Sequence, residues 1–388
     1  MNPAAMITEA VLYLATPGDA RDAAREVARR PVAFRAVMAA VRSGCVRVGV
    51  PAALRTSALE RWVARVPAAR AAVRWLAPDA PAPTGPVLLV PAAAVLPVAA
   101  LAALAAAGRG VLAAERDAPV VAAPAPLVAA LWADLAAGRA VGDALARALK
   151  DAEPAVPGPE WYVRVAGPGG AREAERRLFE ALGTPADTRL DRLLHRRLSR
   201  PVARLAVACR IGPNAITLAS LAVGLGAVWG FLGASPERAA AGLALYALAV
   251  VLDHADGEVA RLTYAESALG EWLDVAVDTA IHALLVLTLG LVAQRAGGWG
   301  FWPGVIAALG VVGSATLTKT SPPAAGGLGT VLGGLANRDG FYAMLLLFIG
   351  GLAVQPGALP WLVTAIAAGC HLFWLAGLAH RGRGAARA

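Results

Sequence analysis

Four aspartates recur at helical spacing in the middle of this chain. Residues 253–278 read DHADGEVARLTYAESALGEWLDVAVD, which gives Asp253-x2-Asp256-Gly257-x2-Ala260-Arg261-x8-Gly270-x3-Asp274-x3-Asp278. On a helix, positions 253, 256, 257 and 260 share one face, and 270, 274 and 278 share one face of the next. Two helices joined by a short turn then point four carboxylates into one volume. The flanking sequence is apolar, and an ionised carboxylate at membrane depth is costly unless paired or wetted. Four together also repel one another, and Arg261 is the only permanent cation in the stretch. Divalent cations meet that demand, and hard oxygen ligands point to Mg2+ or Mn2+ rather than zinc. The three cysteines (Cys45, Cys209, Cys370) form neither a CxxC pair nor a zinc spacing. Gly257 and Ala260 leave room beside the aspartates for a flat base or a ribose. Gly270 lets the second helix pack close, for which ordinary helix packing is an equal reading.

The surrounding elements must hold these carboxylates at membrane depth. Hydrophobic residues make up 58% of the 388 and charged residues 16%, which leans toward the membrane class. From Pro213 onward, apolar segments of about 20 residues recur, the length that crosses a hydrocarbon core. They are Pro213–Leu232, Arg238–Leu262, Ala268–Gln294, Phe301–Thr318, Gly340–Val354 and Leu359–Ala379, an all-α six-helix transmembrane domain. With six spans, Arg200, Arg204, Arg210, Arg261, Lys319, Arg338, Arg381, Arg383 and Arg387 fall on one side, and only Arg238 and Arg295 on the other. Basic residues gather on the cytoplasmic side, so both termini and the aspartates are expected there, in a multi-pass inner (cytoplasmic) membrane protein. Met1 to Thr16 has no basic region leading into a long apolar core, and no cleavable signal peptide is expected.

Residues 1–185 differ in character. Short apolar runs (Ala10–Ala15, Val46–Val50, Ala72–Leu76, Pro86–Val90, Gly110–Ala114, Val120–Ala123, Trp161–Val165) alternate with helical patterns such as Asp19–Arg29, Val32–Arg42 and Ser57–Arg65. The alternation predicts a soluble α/β domain with a largely parallel sheet. Val87–Ala107 is apolar enough to imitate a span, but Pro91 and Pro97 interrupt it, and a buried strand followed by an alanine-rich helix accounts for it. Between the halves, residues 186–212 carry Leu190, Leu193, Leu194, Leu198, Val202 and Leu205 at helical spacing among arginines. This is the pattern of an amphipathic helix in the headgroup region, or of a linker helix on the soluble domain. No recognition motif accompanies the net charge of +9, so nucleic acid is not an expected partner.

The aspartate pattern resembles the signature of the CDP-alcohol phosphotransferase family, with every defined position filled. The resemblance implies transfer of a substituted phosphate from a CDP-alcohol donor to an alcohol acceptor, with release of CMP. It implies Asp253, Asp256 and Asp274 as main metal ligands, and Asp278 as the base that also shares a second ion. Gly257, Ala260, Arg261 and Gly270 would hold the cytidine diphosphate, and a homodimer is plausible for the family. Gly212-Pro213-Asn214-Ala215-Ile216-Thr217 is similar to the family's opening of its first helix. There Asn214 and Thr217 either cap the helix or touch the nucleotide. Arg200, Arg210, Lys319 and Arg338 either anchor the topology or receive a phosphorylated acceptor. His282, four residues past Asp278, shares its face, whereas His254 is expected to point away; helix packing accounts for both.

The layout is similar to fused cytidylyltransferase and di-inositol-phosphate-phosphate synthases, which implies a nucleotidyltransferase-like N-terminal domain. Its chemistry looks lost: Ala15-Thr16-Pro17-Gly18-Asp19-Ala20-Arg21 replaces a glycine-rich phosphate loop, and Pro91-Ala92-Ala93 stands where an aspartate should follow a strand. Two other readings compete. One is a phospholipid synthase using CDP-diacylglycerol with glycerol phosphate, serine or inositol phosphate. The other is a cation-coupled transporter, for which no inverted repeat or broken helix is evident.

Overall fold

The structure is a computed structural model and describes residues 6–112, 117–150, 154–156, 159–183, 187–318 and 338–385. It divides into two compact units, Met1–Leu182 and Gly183–Ala388.

In the first unit the described strands are β1 (Glu9–Tyr13), β2 (Glu26–Val27), β3 (Arg30–Pro31), β4 (Arg47–Pro51), β5 (Val73–Leu76), β6 (Val87–Pro91), β7 (Ala94–Val95), β8 (Gly110–Leu112), β9 (Val121–Ala123), β10 (Pro154–Val156) and β11 (Val163–Arg164). Seven of them form one sheet in the order β10-β8-β9-β6-β1-β4-β5. Central β1 and β6 are nearly continuous apolar runs, as strands covered on both faces must be. The sheet is largely parallel, as expected, with one reversed strand that makes it mixed. β6, β1, β4 and β5 run parallel, but β9 is antiparallel to both β6 and β8. Only residues 113–120 separate β8 from β9, too few for a crossover, so the chain returns alongside itself.

Helices α1 (Asp19–Ala23), α2 (Val32–Arg42), α3 (Ser57–Arg65), α4 (Pro67–Ala72), α5 (Val98–Ala107), α6 (Ala125–Ala137), α7 (Gly142–Ala148) and α8 (Gly167–Glu180) complete the unit. Val87–Ala107 divides as expected into strand and helix. The helix expected over Asp19–Arg29 stops at Ala23, because β2 and β3 form a hairpin whose turn residues Ala28 and Arg29 have φ of 43° and 61°. Buried Arg35 holds that turn by donating from Nε to Val27 O at 2.9 Å. Of the strand expected at Trp161–Val165, only Val163–Arg164 forms, and it pairs with β7 outside the main sheet.

The second unit is helical. A single wide turn, Asp191–His195, leads into α9 (Arg196–Cys209). Then follow α10 (Pro213–Leu232), α11 (Pro236–Thr263), α12 (Ala268–Gly297), α13 (Phe301–Thr318), α14 (Arg338–Val354) and α15 (Leu359–Ala385). Among the described residues, α10, α11 and α12 are long and apolar enough to cross a membrane; shorter apolar stretches are Phe301–Thr316 in α13 and Pro356–Leu372, which runs into α15. Small residues let these helices approach closely. A Cβ on Gly230 of α10 would lie 2.6 Å from Gly242 Cα of α11, and one on Gly290 of α12 would lie 2.5 Å from Gly304 Cα of α13. Tyr246, Phe231, Phe348, Leu285 and Leu289 fill the core.

The linker segment has two faces. Asp191, His195, Arg196, Ser199 and Ala203 are buried, and α9 packs on α11. Leu193, Leu194, Leu198 and Leu205 are exposed.

Candidate active site

Ser267 caps α12 by accepting from the Gly270 amide, and the short turn before it lets the chain reverse from α11 into α12. The two helices, with the linker and α14, enclose a cavity of about 460 Å³. α11 contributes Asp253, His254, Asp256, Gly257 and Arg261; α12 contributes Asp274, Asp278 and His282. Arg338 and Phe341 come from α14, and Asp187, Thr188, Asp191 and Arg196 from the linker segment. A second cavity of about 460 Å³ shares Asp256, Gly257, Arg261 and Asp274, and adds Asn214, Thr217, Ala260 and Gly270 to its wall. The four aspartates and the small residues of the motif therefore line two adjoining spaces.

Each carboxylate has its own neighbourhood. Thr217 Oγ1 donates to Asp256 Oδ2 at 2.5 Å, a buried contact that ties α10 to α11. Arg338 Nη2 donates to Asp253 Oδ2 at 2.9 Å. Asp274 lies within electrostatic reach of Asp253, Asp256 and Asp278. His282 Nδ1 is 2.7 Å from the Asp278 carbonyl oxygen and 3.3 Å from Asp278 Oδ1, and its Nε2 is 2.9 Å from the Tyr246 hydroxyl. A proton on Nδ1 and a Tyr246 hydroxyl donating to Nε2 satisfy the ring completely. Gly257 leaves space for Arg261: a Cβ there would lie 3.2 Å from Arg261 Nη1. A Cβ on Gly270 would lie 3.2 Å from Asn214 Oδ1, so the start of α12 runs close beside α10.

His254 does not point away from the carboxylates. It lines the first cavity, and its Nε2 lies 3.0 Å from Asp191 Oδ1. The linker closes over this side of α11, giving the ring a polar partner that the helix alone does not offer. Of the four cations expected at a phosphorylated acceptor, Arg338 lines the cavity. Arg210 is exposed at the end of α9 and Arg200 lies on the linker helix; neither lines either cavity. Lys319 lies outside the described residues.

The linker supplies residues that its sequence did not advertise. Asp191 Oδ1 accepts from His195 Nδ1 at 2.9 Å, and Oδ2 accepts from the Thr188 amide at 2.9 Å. Burial alone would raise the Asp191 pKa, but these bonds, the one to His254 and the charge of Arg338 hold its carboxyl well below the usual range. Nearby, Arg196 grips Asp187 with two nitrogens at 2.9 and 2.7 Å and reaches Glu258 Oε1 at 2.9 Å. Ser199 Oγ donates to the same Glu258 oxygen at 2.8 Å. The signal for these contacts was present as Asp191-x3-His195 on the face opposite the leucines.

Two groups of side chains have metal-ligating chemistry. Asp191, His195 and His254 offer atoms within 4.8 Å of one another. They already hydrogen-bond among themselves, however, and Arg338 Nη1 lies 3.1 Å from His254 Nδ1 and 3.5 Å from Asp191 Oδ1. The charge of Arg338 bears on both groups, since its Nη2 also donates to Asp253. Asp253, Asp256, Asp274 and Asp278 line one cavity and offer carboxylate oxygens, the chemistry that suits Mg2+ or Mn2+, with Asp253 bonded to Arg338 and Asp256 to Thr217.

Residues 210–373 match the model of the CDP-alcohol phosphatidyltransferase family. The chain is also similar to the CDP-diacylglycerol--serine O-phosphatidyltransferase of Mycobacterium leprae (strain TN), 36% identical over 104 residues, covering 26% of this chain and 34% of that protein. The protein of that name from Mycobacterium bovis (strain ATCC BAA-935 / AF2122/97) is 34% identical over 105 residues, covering 26% of this chain and 36% of the relative. The match thus spans about a third of the length of these relatives.

Proposed function

We propose, from the premise that residues 210–373 form a CDP-alcohol phosphatidyltransferase domain, that the protein is a membrane phospholipid synthase. It moves a phosphatidyl group from CDP-diacylglycerol to the hydroxyl of a small alcohol and releases CMP. The observation that carries this reading is the convergence of Asp253, Asp256, Asp274 and Asp278 on one cavity that also presents Arg261 and Arg338. The names of the relatives favour a lipid donor and serine as acceptor; the inositol-phosphate type rests on domain layout alone. The family match favours transfer chemistry over cation transport.

Asp253, Asp256 and Asp274 would hold the divalent ion, and Asp278, which lines the same cavity, would share a second. Once bound, the metal neutralises pyrophosphate charge and stabilises the departing CMP. Asn214, Thr217, Gly257, Ala260, Arg261 and Gly270 form the second cavity and would take the cytidine diphosphate. The acceptor hydroxyl attacks the phosphorus bearing the diacylglycerol, and the bond from that phosphorus to the oxygen of CMP breaks. Asp278 takes the hydroxyl proton, with His282 and Tyr246 fixed behind it. Arg338 is placed to meet an anionic group on the acceptor.

In this reading all six apolar helices cross the bilayer. The active site and N-terminal unit face the cytoplasm at the inner membrane, and the exposed leucines and arginines of the linker lie on anionic headgroups. The N-terminal unit, nucleotidyltransferase-like in layout, makes no CDP-alcohol. In support, the Ala15 and Thr16 amides after β1 donate to Asp19 Oδ2 at 2.8 and 3.2 Å, so an internal carboxylate occupies the loop. No acidic residue follows β6, where Ala92 and Ala93 are buried.

The test is CMP release by the purified full-length protein, given Mg2+ or Mn2+, CDP-diacylglycerol or CDP-inositol, and serine, glycerol phosphate or inositol phosphate in turn. Metal-dependent release with the lipid donor is expected. Release only from CDP-inositol would move the assignment to the inositol-phosphate type, and no release from any donor would overturn the reading.

A further inference from the structure

We propose that Asp191, on the linker ahead of the first apolar helix, is a positioning residue that sets Arg338 and, through it, Asp253. The inference rests on the reading of Asp253 as a metal ligand.

Three separate elements meet at this point: the wide turn of the linker, α11 and α14. Asp191 is 3% exposed, and its carboxylate is saturated by the Thr188 amide, His195 and His254. His195 is itself held by the Tyr342 hydroxyl, 3.0 Å from its Nε2. His254 Nε2 lies 3.0 Å from Asp191 Oδ1, and Arg338 Nη1 sits against the same ring, 3.1 Å from Nδ1 and 3.3 Å from Nε2, and 3.5 Å from Asp191 Oδ1 itself. Those contacts occupy one arm of the guanidinium, and Arg338 meets Asp253 with the other arm alone.

The consequence is electrostatic. A free arginine beside a carboxylate tends to take both of its oxygens in a bidentate pair. Such a pair on Asp253 would place a competing cation where a divalent ion must bind. Asp191, together with His254, restrains Arg338 to one bond with Asp253, whose side chain lines the cavity. A plain structural anchor needs neither a buried anion nor this chain of donors. An extra residue in the helical turn at Asp191–His195 re-aims both side chains inward, as wide turns at functional positions do.

The test is Asp191→Asn in the full-length protein, read by Mn2+ binding without substrate, from the magnetic-resonance signal of the free ion, and by steady-state CMP release. Mn2+ affinity is expected to fall about tenfold, as for lost partners of metal ligands, with kcat reduced and the KM for the CDP donor unchanged. In an Arg338→Met background, Asp191→Asn should cause no further loss of Mn2+ affinity, since both act through one guanidinium. A purely structural role would lower thermal stability while leaving Mn2+ affinity unchanged, or would add fully to Arg338→Met; either result overturns the proposal. If Asp191→Asn does not survive purification, Tyr342→Phe carries the same test, with a smaller loss of Mn2+ affinity in the same direction expected and none contradicting it. Wild-type protein without metal-dependent CMP release would instead remove the functional reading beneath it.

Discussion

Thr217 Oγ1 donates to Asp256 Oδ2 across the boundary between α10 and α11. The hydroxyl fixes one oxygen of a carboxylate that lines both cavities. Thr217→Val keeps the shape and removes the donor, so Asp256 loses its fixed orientation. CMP release should fall by about tenfold, the effect of one lost hydrogen bond to a charged group, while Thr217→Ser should retain most of it. Steady-state kinetics of the two variants check this.

Gly257 faces the Arg261 guanidinium closely enough that a methyl group would press on it and shift it by a few tenths of an ångström. Gly257→Ala should therefore weaken the grip on the nucleotide phosphates. The expected result is a KM for the CDP donor raised about fivefold with kcat changed little, the pattern of a lost binding contact.

Glu258 has no solvent exposure and is held by Arg196 and Ser199. Removing the cation alone strands a buried carboxylate, so Arg196→Ala should cost about 3–5 kcal/mol of stability. The double variant Arg196→Met with Glu258→Gln should recover much of that loss. Thermal unfolding in detergent measures both.

Asp19 answers to pH. Burial would raise its pKa, but bonds from Thr16, Arg164 and two backbone amides lower it below the ordinary aspartate value. A carboxyl whose folded pKa lies below its unfolded one stabilises the fold above the unfolded value, and that contribution disappears as pH falls through the folded value. Asp19→Asn should therefore lower the unfolding temperature at neutral pH and flatten its acid dependence, in unfolding scans of the full-length protein at stepped pH.

The aspartate cluster was legible because helical spacing is a local property: Asp253 to Gly257 on one helix and Gly270 to Asp278 on the next can be aligned from sequence alone. The apolar helices were legible for the same reason: α10 begins and ends where hydrophobicity does, and α13 begins there. What was hidden depends on distant pairs. The partners of Asp191 are His254 and Arg338, from two other elements. No periodicity reports such pairs, so His254 seemed turned away and the linker read as a membrane-surface helix or a linker helix on the soluble domain. Likewise the reversal at β9 follows from a short connection, while its apolar run reads the same in either direction. Arg338 could be placed near the site from its neighbourhood, but its bond to Asp253 could not.

The central claim is that these aspartates hold the metal that drives transfer, and Asp274→Asn addresses it most directly. CMP release from CDP-diacylglycerol would be followed while Mg2+ is titrated into wild-type and variant protein freed of metal by chelation. The account predicts Mg2+-dependent release by the wild type and a rate lower by about a thousandfold or more in the variant, at every metal concentration. A variant that turns over near the wild-type rate, or a wild type indifferent to Mg2+, would contradict it.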